Sequence, residues 1–225
     1  MTIFLLALRT NLQQKFSLLL LVVFPVVLLF IPSTGGSLPM GMSLYGLLNF
    51  YSAFLMTRPV VEDRMRKVVV RIAASPVSHA TYLFSHIGAA LVLLASQATI
   101  FVIASVIRFG PSLTNYAVLW LLYLAYSVMV LSFSLAWNTM FRSYTTSFAL
   151  FSGVGSIMCL ISGLSFPLHL LPESVQRLVR ILPTYWLAHA LAGLYEKQSA
   201  GILIAGVVLL VFAGIFLLLG SKRRF

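Results

Sequence analysis

The chain of 225 residues is 60% hydrophobic and only 8% charged, and its mean hydropathy is +1.03. Soluble domains carry about 25% charged residues, so this composition excludes a soluble protein and indicates an integral membrane protein. The formal net charge of +11 does not indicate nucleic-acid binding, because a membrane protein collects Lys and Arg in its cytoplasmic loops.

Six apolar stretches are long enough to cross a bilayer as helices, which takes about 20 mainly apolar residues. They lie near residues 16–32, 41–60, 78–107, 116–140, 146–166 and 199–220. We therefore expect an all-α, polytopic membrane protein in which residues 1–225 form a single transmembrane domain with six spans.

Basic residues are distributed unevenly between the two sides of such a protein. Most Lys and Arg residues fall on the side that carries both termini, and only Arg108, Arg177, Arg180 and Lys197 fall on the other side. Because cytoplasmic loops are enriched in basic residues, the N- and C-termini are expected in the cytoplasm.

The N-terminal residues 2–15 show the pattern of a helix that lies on a membrane surface. Phe4, Leu5, Leu8 and Leu12 recur at roughly helical spacing, and polar residues lie between them. This pattern predicts an amphipathic interfacial helix on the inner surface, leading into the first span.

A charged segment, residues 62–76, lies between the second and third spans. Glu62 stands four residues before Arg66, an acid-first pair that favours a helix, and Asp63 stands in the same relation to Lys67. Because charges are costly in hydrocarbon, we expect the segment in water, where its mixed charges suit docking against a protein. A solvated connector would carry the same charges, and the pattern does not separate these two interpretations.

The charged segment ends at Ser75 and Pro76. Ser75 is suited to cap the helix of the third span, and Pro76 is suited to its first position, where a missing backbone N–H costs nothing.

A long segment without a spanning stretch separates the fifth and sixth spans. Gly163, Phe166 and Pro167 end the fifth span, and a short amphipathic helix is expected between Pro172 and Pro183.

A second short helix follows, with Thr184 as its expected cap. It contains Tyr185 and Trp186, aromatic residues typical of a membrane interface. Both helices are too short to span a bilayer, so we expect a re-entrant helical hairpin in the outer leaflet.

Two Asn, one Gln and one His lie well inside the predicted spans, where such side chains are costly and therefore tend to face protein or water. They are Asn49, His86, Gln97 and Asn138. Hydrogen bonding between helices and the lining of a pathway both explain such residues, and the sequence leaves both open.

The chain resembles the membrane permease subunits of type 2 ABC exporters. The charged segment with Ser75-Pro76 and the entry Val77–Leu83 is similar to one family pattern. Residues 162–167 with 171–173 and 182–185 are similar to the family's outer re-entrant hairpin. Six spans with cytoplasmic ends fit the same family.

The resemblance implies that the charged segment is a coupling helix seated in an ATPase. Its coupling residues would be Glu62, Asp63, Arg64, Arg66, Lys67, Arg71, Ser75 and Pro76. It implies two ABC ATP-binding subunits and a second permease, identical or homologous, as partners in a bacterial cytoplasmic membrane. Small residues let helices approach closely, so the interface with the second permease is expected at Ser152, Gly155 and Ser156.

The chain itself shows no site for catalysis. None of Lys15, Lys67, Lys197 and Lys222 follows a glycine, so a phosphate-binding loop is missing and ATP with Mg²⁺ is expected on the partner ATPase. His79 and His86 are seven residues apart, too far to hold one metal alone, and no nucleophile, base and acid come together. We expect neither a metal nor another cofactor on this chain, and no nucleic-acid partner.

The expected function is a permease that forms half of the export pathway. Few charges within the spans favour an amphipathic or hydrophobic cargo such as a drug, lipid or peptide. An ATP-independent channel or carrier, and a non-transport anchoring subunit, are the alternatives that the sequence leaves open.

Overall fold

The computed structural model describes residues 2–13, 19–32, 38–65, 79–166 and 168–222, and every regular element within these ranges is helical. The α-helices are α1 (Thr2–Gln13), α2 (Phe24–Leu28), α3 (Met40–Met56), α4 (Arg58–Met65), α5 (His79–Phe109), α6 (Tyr116–Asn138), α7 (Tyr144–Ile161), α8 (Glu173–Val179), α9 (Pro183–Tyr195) and α10 (Ser199–Lys222). A π-helix, Leu19–Val23, leads into α2, and a 3₁₀-helix, Leu168–Leu170, precedes α8.

Four helices in the described ranges are long and apolar enough to cross a membrane. They are Phe84–Phe109 within α5, Tyr116–Asn138, Tyr144–Ile161 and Ser199–Gly220 within α10. These helices match the third to sixth predicted spans. The fifth ends earlier than expected because Gly163 takes a left-handed conformation with φ of 93° just after the C-cap residue Ser162.

The first two predicted spans are represented by shorter helices. The first is a ten-residue apolar stretch, Leu19–Leu28, in which the π-helix meets α2 and Pro25 stands in the first turn. The second is α3, whose 17 residues extend about 26 Å at about 1.5 Å each, against about 30 Å of hydrocarbon. A total of six crossings therefore stays a prediction.

Helix α6 lies at the centre of the bundle and packs against α3, α5, α9 and α10. In its span 56% of the residues are buried, against 17% in α10, which presents most of its surface to the surroundings. Tyr45 of α3 stacks on Phe101 of α5 at 4.3 Å between ring centroids and lies 4.5 Å from the ring of Tyr123. Aromatic packing of this kind fixes three helices against one another.

The long segment before the sixth span contains α8 and α9, and Pro172 is the N-cap residue of α8. Thr184 does not cap α9, contrary to expectation. The helix begins at Pro183, whose fixed φ suits the first position, and the Thr184 hydroxyl donates to the Met158 carbonyl at 3.4 Å. Trp186 donates to the Arg180 carbonyl at 3.1 Å. The position of these helices relative to a membrane stays a prediction.

The small residues of α7 pack against α3 of the same chain. A Cβ atom at Gly155 would lie 2.3 Å from Cε1 of Phe50, whose ring is buried and stacked on Phe151. The Tyr51 hydroxyl donates to the Ser152 carbonyl at 2.9 Å and shares a hydrogen bond of 2.6 Å with the Ser156 hydroxyl. Packing within the chain therefore explains Gly155, and a contact with a second permease stays a prediction for the exposed side of α7.

Gly155→Ala is expected to lower the free energy of unfolding by about 1–3 kcal/mol, because the new methyl group must displace the buried Phe50 ring. Gly153→Ala is the matched control on the same helix, since its added Cβ meets nothing within 4 Å. Alanine is the better helix former, so this control should be neutral or stabilising by up to about 1 kcal/mol. Thermal unfolding in detergent measures both, and equal midpoints would contradict the close approach.

Candidate functional site

The predicted coupling region begins at a tight turn between α3 and α4. Thr57 is the single residue between the two helices, and its buried hydroxyl donates to the Phe54 carbonyl at 2.6 Å. The backbone N–H of Val61 donates to the Thr57 carbonyl at 3.2 Å, so α4 continues directly from the turn. With so short a connection, α4 follows any movement of the end of α3.

Asn138, the last residue of α6, joins this turn to α7. Its Nδ2 atom donates to Thr57 Oγ1 at 3.1 Å and to the Ser134 carbonyl at 2.8 Å. Its Oδ1 atom accepts from the Ser147 hydroxyl of α7 at 2.7 Å. All of these residues are buried. We call Thr57, Asn138 and Ser147 the junction, because they connect the α3–α4 turn, α6 and α7.

The first turns of α4 carry charges that contact one another and α7. Arg58 Nε lies 2.6 Å from Glu62 Oε1, and the Arg58 guanidinium lies over the Tyr144 ring at 5.5 Å. The hydrogen bond to Glu62 raises the pKa of Arg58 above its ordinary value. The expected partner of Glu62 is Arg66, which lies outside the described residues. The partner that the structure describes is Arg58, one helical turn before Glu62. Both side chains are partly exposed, so the pair adds little stability.

Asp63 connects α4 to the start of α5. The Tyr82 hydroxyl donates to Asp63 Oδ2 at 2.5 Å, and the Tyr82 ring packs on His86 with centroids 4.5 Å apart. Burial, together with the hydrogen bond to Asp63, raises the pKa of Tyr82 above its ordinary value of 10.0. The hydroxyl therefore stays protonated at neutral pH and remains a donor to the carboxylate. The helix after the charged segment is thus attached to the helix before it.

The amides expected within the spans form hydrogen bonds between helices. Asn49 of α3 donates to Ser127 of α6 at 2.8 Å. Gln97 of α5 donates to the Leu20 carbonyl at 2.8 Å and to Ser52 of α3 at 3.0 Å. Asn138 behaves likewise at the junction. These hydrogen bonds join helices, which is one of the two roles expected for the three amides. That the amides and the half-buried His86 line a pathway stays a prediction.

Other expected site residues are only partly within the described ranges. Arg64 lies on α4. Arg66, Lys67, Arg71, Ser75, Pro76 and Pro167 lie outside the described residues. On the predicted outer side, Pro183 and Tyr185 are buried, Trp186 is half-buried, and Pro172 and Phe166 are exposed. No cluster of three or more His, Cys, Asp or Glu side chains suited to a metal ion occurs among the residues that the structure describes.

Sequence reasoning did not identify several partners in this region. Thr57, Ser147 and Tyr82 supply hydrogen bonds that the pattern did not indicate. A Ser or Thr in a helix commonly bonds to a carbonyl of its own helix, as Ser132 does to Val128 at 2.7 Å. The presence of a Ser or Thr in the sequence therefore does not show whether its hydroxyl bonds to its own helix or to a neighbouring one.

Long apolar helices and the polar contacts between them define a multi-pass membrane protein. The model of the family described as ABC-2 family transporter protein matches residues 32–222. The chain therefore belongs to this family, which confirms the resemblance drawn from the two motifs. It is a membrane permease of an ABC transporter, distinct from the ATPase, and its family associates with ABC ATP-binding subunits. No individual curated protein matches the chain.

The junction can be tested with two buried serines. Ser147→Ala removes the donor to Asn138 on another helix and is expected to lower the free energy of unfolding by about 1 kcal/mol. Ser132→Ala removes only a bond within α6 and should change stability by less than half as much. Equilibrium unfolding in mixed micelles measures both variants. Equal losses would contradict a stabilising role for the contact between α6 and α7.

Proposed function

We propose that this permease is half of an ATP-driven exporter and that α4 with the charged segment is its coupling element. The observation that carries the proposal is the attachment of α4 to other helices. Asp63 binds Tyr82 of α5, and Thr57 binds Asn138, which also binds Ser147 of α7. A force applied to α4 from outside the membrane therefore reaches α5, α6 and α7.

Coupling requires that the ATPase favours one arrangement of these helices over another. A contact of equal strength in both arrangements would shift no population, whatever its affinity. The exposed charges of α4 suit the ATPase contact, and the buried partners of Asp63 and Thr57 suit transmission. ATP and Mg²⁺ would bind the partner, where hydrolysis resets the arrangement.

The complete transporter would contain two ATP-binding subunits and two permeases, identical or homologous. The exposed side of α7 supports the second contact, because apolar side chains there surround an open glycine. Val154, Ile157 and Leu160 are 40%, 60% and 52% exposed, and an added Cβ at Gly153 would meet nothing within 4 Å. A second permease would cover this face, and Ser156 lies on it.

Six spans, with α8 and α9 as an outer re-entrant hairpin, complete the proposed architecture, and α1 would lie on the inner surface. The pathway would carry an amphipathic or hydrophobic cargo such as a drug, lipid or peptide. The support is chemical: the described spans contain buried amides and hydroxyls and almost no charge. The bacterial cytoplasmic membrane, with both termini inside, is the proposed location.

Cysteine labelling tests this orientation, since the sequence contains a single cysteine, the buried Cys159. In a Cys159→Ala background, Arg177→Cys is expected to react with an impermeant maleimide added to intact cells. Lys67→Cys should react only after the cells are opened. Labelling of position 67 from outside would contradict the proposed coupling, because no cytoplasmic ATPase could then reach the charged segment.

The coupling role is tested by replacing Glu62, Arg64 and Arg66 with alanine. ATP-binding subunits that co-purify with the unaltered permease in mild detergent should be lost, with recovery reduced about tenfold or more. Each lost charge contact at a docking surface costs of the order of 1 kcal/mol or more, and three act together. Flux in reconstituted vesicles should lose its dependence on ATP.

The chain offers a matched control for this triple variant. Alanine at Glu173, Arg177 and Arg180 removes the same three charges from the predicted outer side, where Glu173 and Arg177 form an exposed pair. This variant should keep its ATP-binding subunits.

Flux that persists in the first variant without ATP would indicate a carrier. A complex with ATPase activity and no flux of any tested cargo would indicate an anchoring subunit.

A further inference from the structure

A groove with a volume of about 210 Å³ lies between the ends of α6 and α10. Its walls are almost entirely aromatic and aliphatic, and the Phe133 and Phe216 rings, 5.0 Å apart, join the two helices. The lining residues are Phe133, Ala136, Trp137, Thr139, Met140, Phe216 and Leu219. None of these belongs to the predicted coupling or pathway sets, so the groove is a separate feature.

The groove lies at the ends of α6 and α10, after which basic residues follow in the sequence. A Cβ at Gly220 of α10 would lie 3.6 Å from Cα of Ala136, so the two helices end at the same level. Lys222 follows two residues later, about 3 Å further along α10, and Arg223 and Arg224 follow in the sequence. On the side of α6, the exposed Arg142 comes four residues after the helix ends.

The positive charge of Arg142 has no anionic partner among the residues that the structure describes. The sequence has four acidic residues, all in the described ranges, and their ion pairs with other described residues are with Arg58 and Arg177. Arg142 forms no ion pair with the acidic residues that the structure describes. An apolar groove close in sequence to an unpaired, exposed Arg142 suits an occupant with an apolar chain and an anionic group.

We propose that the groove binds one acyl chain of an anionic phospholipid from the inner leaflet, with its phosphate held by Arg142. Basic sites beside spanning helices at the cytoplasmic face select anionic headgroups, and Trp137 lies where interfacial aromatics are expected. A second copy of the chain fits less well. A two-fold contact places the same patch on both sides, so the basic ends would face one another and repel.

A native fluorophore in the groove makes the proposal testable. The chain has three Trp residues, and replacing Trp120 and Trp186 with Phe leaves Trp137 as the only tryptophan. The permease alone is reconstituted into phosphatidylcholine vesicles with increasing fractions of brominated phosphatidylglycerol or brominated phosphatidylcholine. Bromine quenches Trp fluorescence on contact, so quenching of Trp137 measures occupancy of the groove.

Brominated phosphatidylglycerol is expected to quench Trp137 at much lower mole fractions than brominated phosphatidylcholine. Each cation near the membrane surface corresponds to a preference of about fivefold for the anionic lipid over the zwitterionic one. Arg142→Ala should remove about that factor, whereas Arg142→Lys should retain most of it. The matched control keeps Trp120, at the other end of α6, as the only Trp, and its quenching should show no preference between the lipids.

Three outcomes would overturn the proposal. Equal quenching of Trp137 by both lipids would leave no anionic selectivity. Absence of quenching by either lipid would mean that protein covers the groove. Relief of quenching by millimolar inorganic phosphate would mean that the basic residues bind a free anion. The assay contains no ATPase, so its result is independent of the proposed coupling function.

Discussion

Asn138 lies where α6, α7 and the turn between α3 and α4 meet, and its amide determines how α4 is held. It donates to Thr57 and accepts from Ser147. A buried amide in an apolar interior cannot exchange its partners for water, so its free energy is lowest only when those partners stay in place. Contacts among the helices of the bundle, and not a loop alone, therefore determine the direction in which α4 leaves the bundle.

The same constraint acts at two other places in the interior. Asn49 fixes α3 against α6 through Ser127, and Gln97 fixes α5 against α3 through Ser52. Single hydrogen bonds of this kind contribute about 0.6 kcal/mol on average in membrane proteins, so they are a minor part of the total stability. Their main effect is to fix the axial position of each helix relative to its neighbour. A helix that slides by one residue loses the hydrogen-bond partner of its amide, whereas its apolar contacts are easily replaced by similar ones. The bundle thereby has a defined relative position for each helix.

The sequence could predict the long helices but not all of the bundle. Helices α5, α6, α7 and α10 each contain one uninterrupted apolar stretch, and their bounds were predicted to within a few residues except at the end of α7. The first predicted span is divided between a π-helix and α2, which hydropathy cannot show. Asn138 was identifiable because an amide is costly in a span. Its partners were not, because a hydroxyl such as that of Thr57 also bonds to its own helix.

The groove and the junction are connected through one residue of α7. Trp137 donates to the Ser147 carbonyl at 3.2 Å, and the next residue, Asn138, accepts from the Ser147 hydroxyl. Consecutive helical residues point about 100° apart, so α6 presents one of them to the groove and the other to the interior. A shift of α7 along α6 changes both contacts together. An inner-leaflet lipid and a cytoplasmic ATPase would then act on the same helix pair, each limited by the difference in its own affinity for the two arrangements.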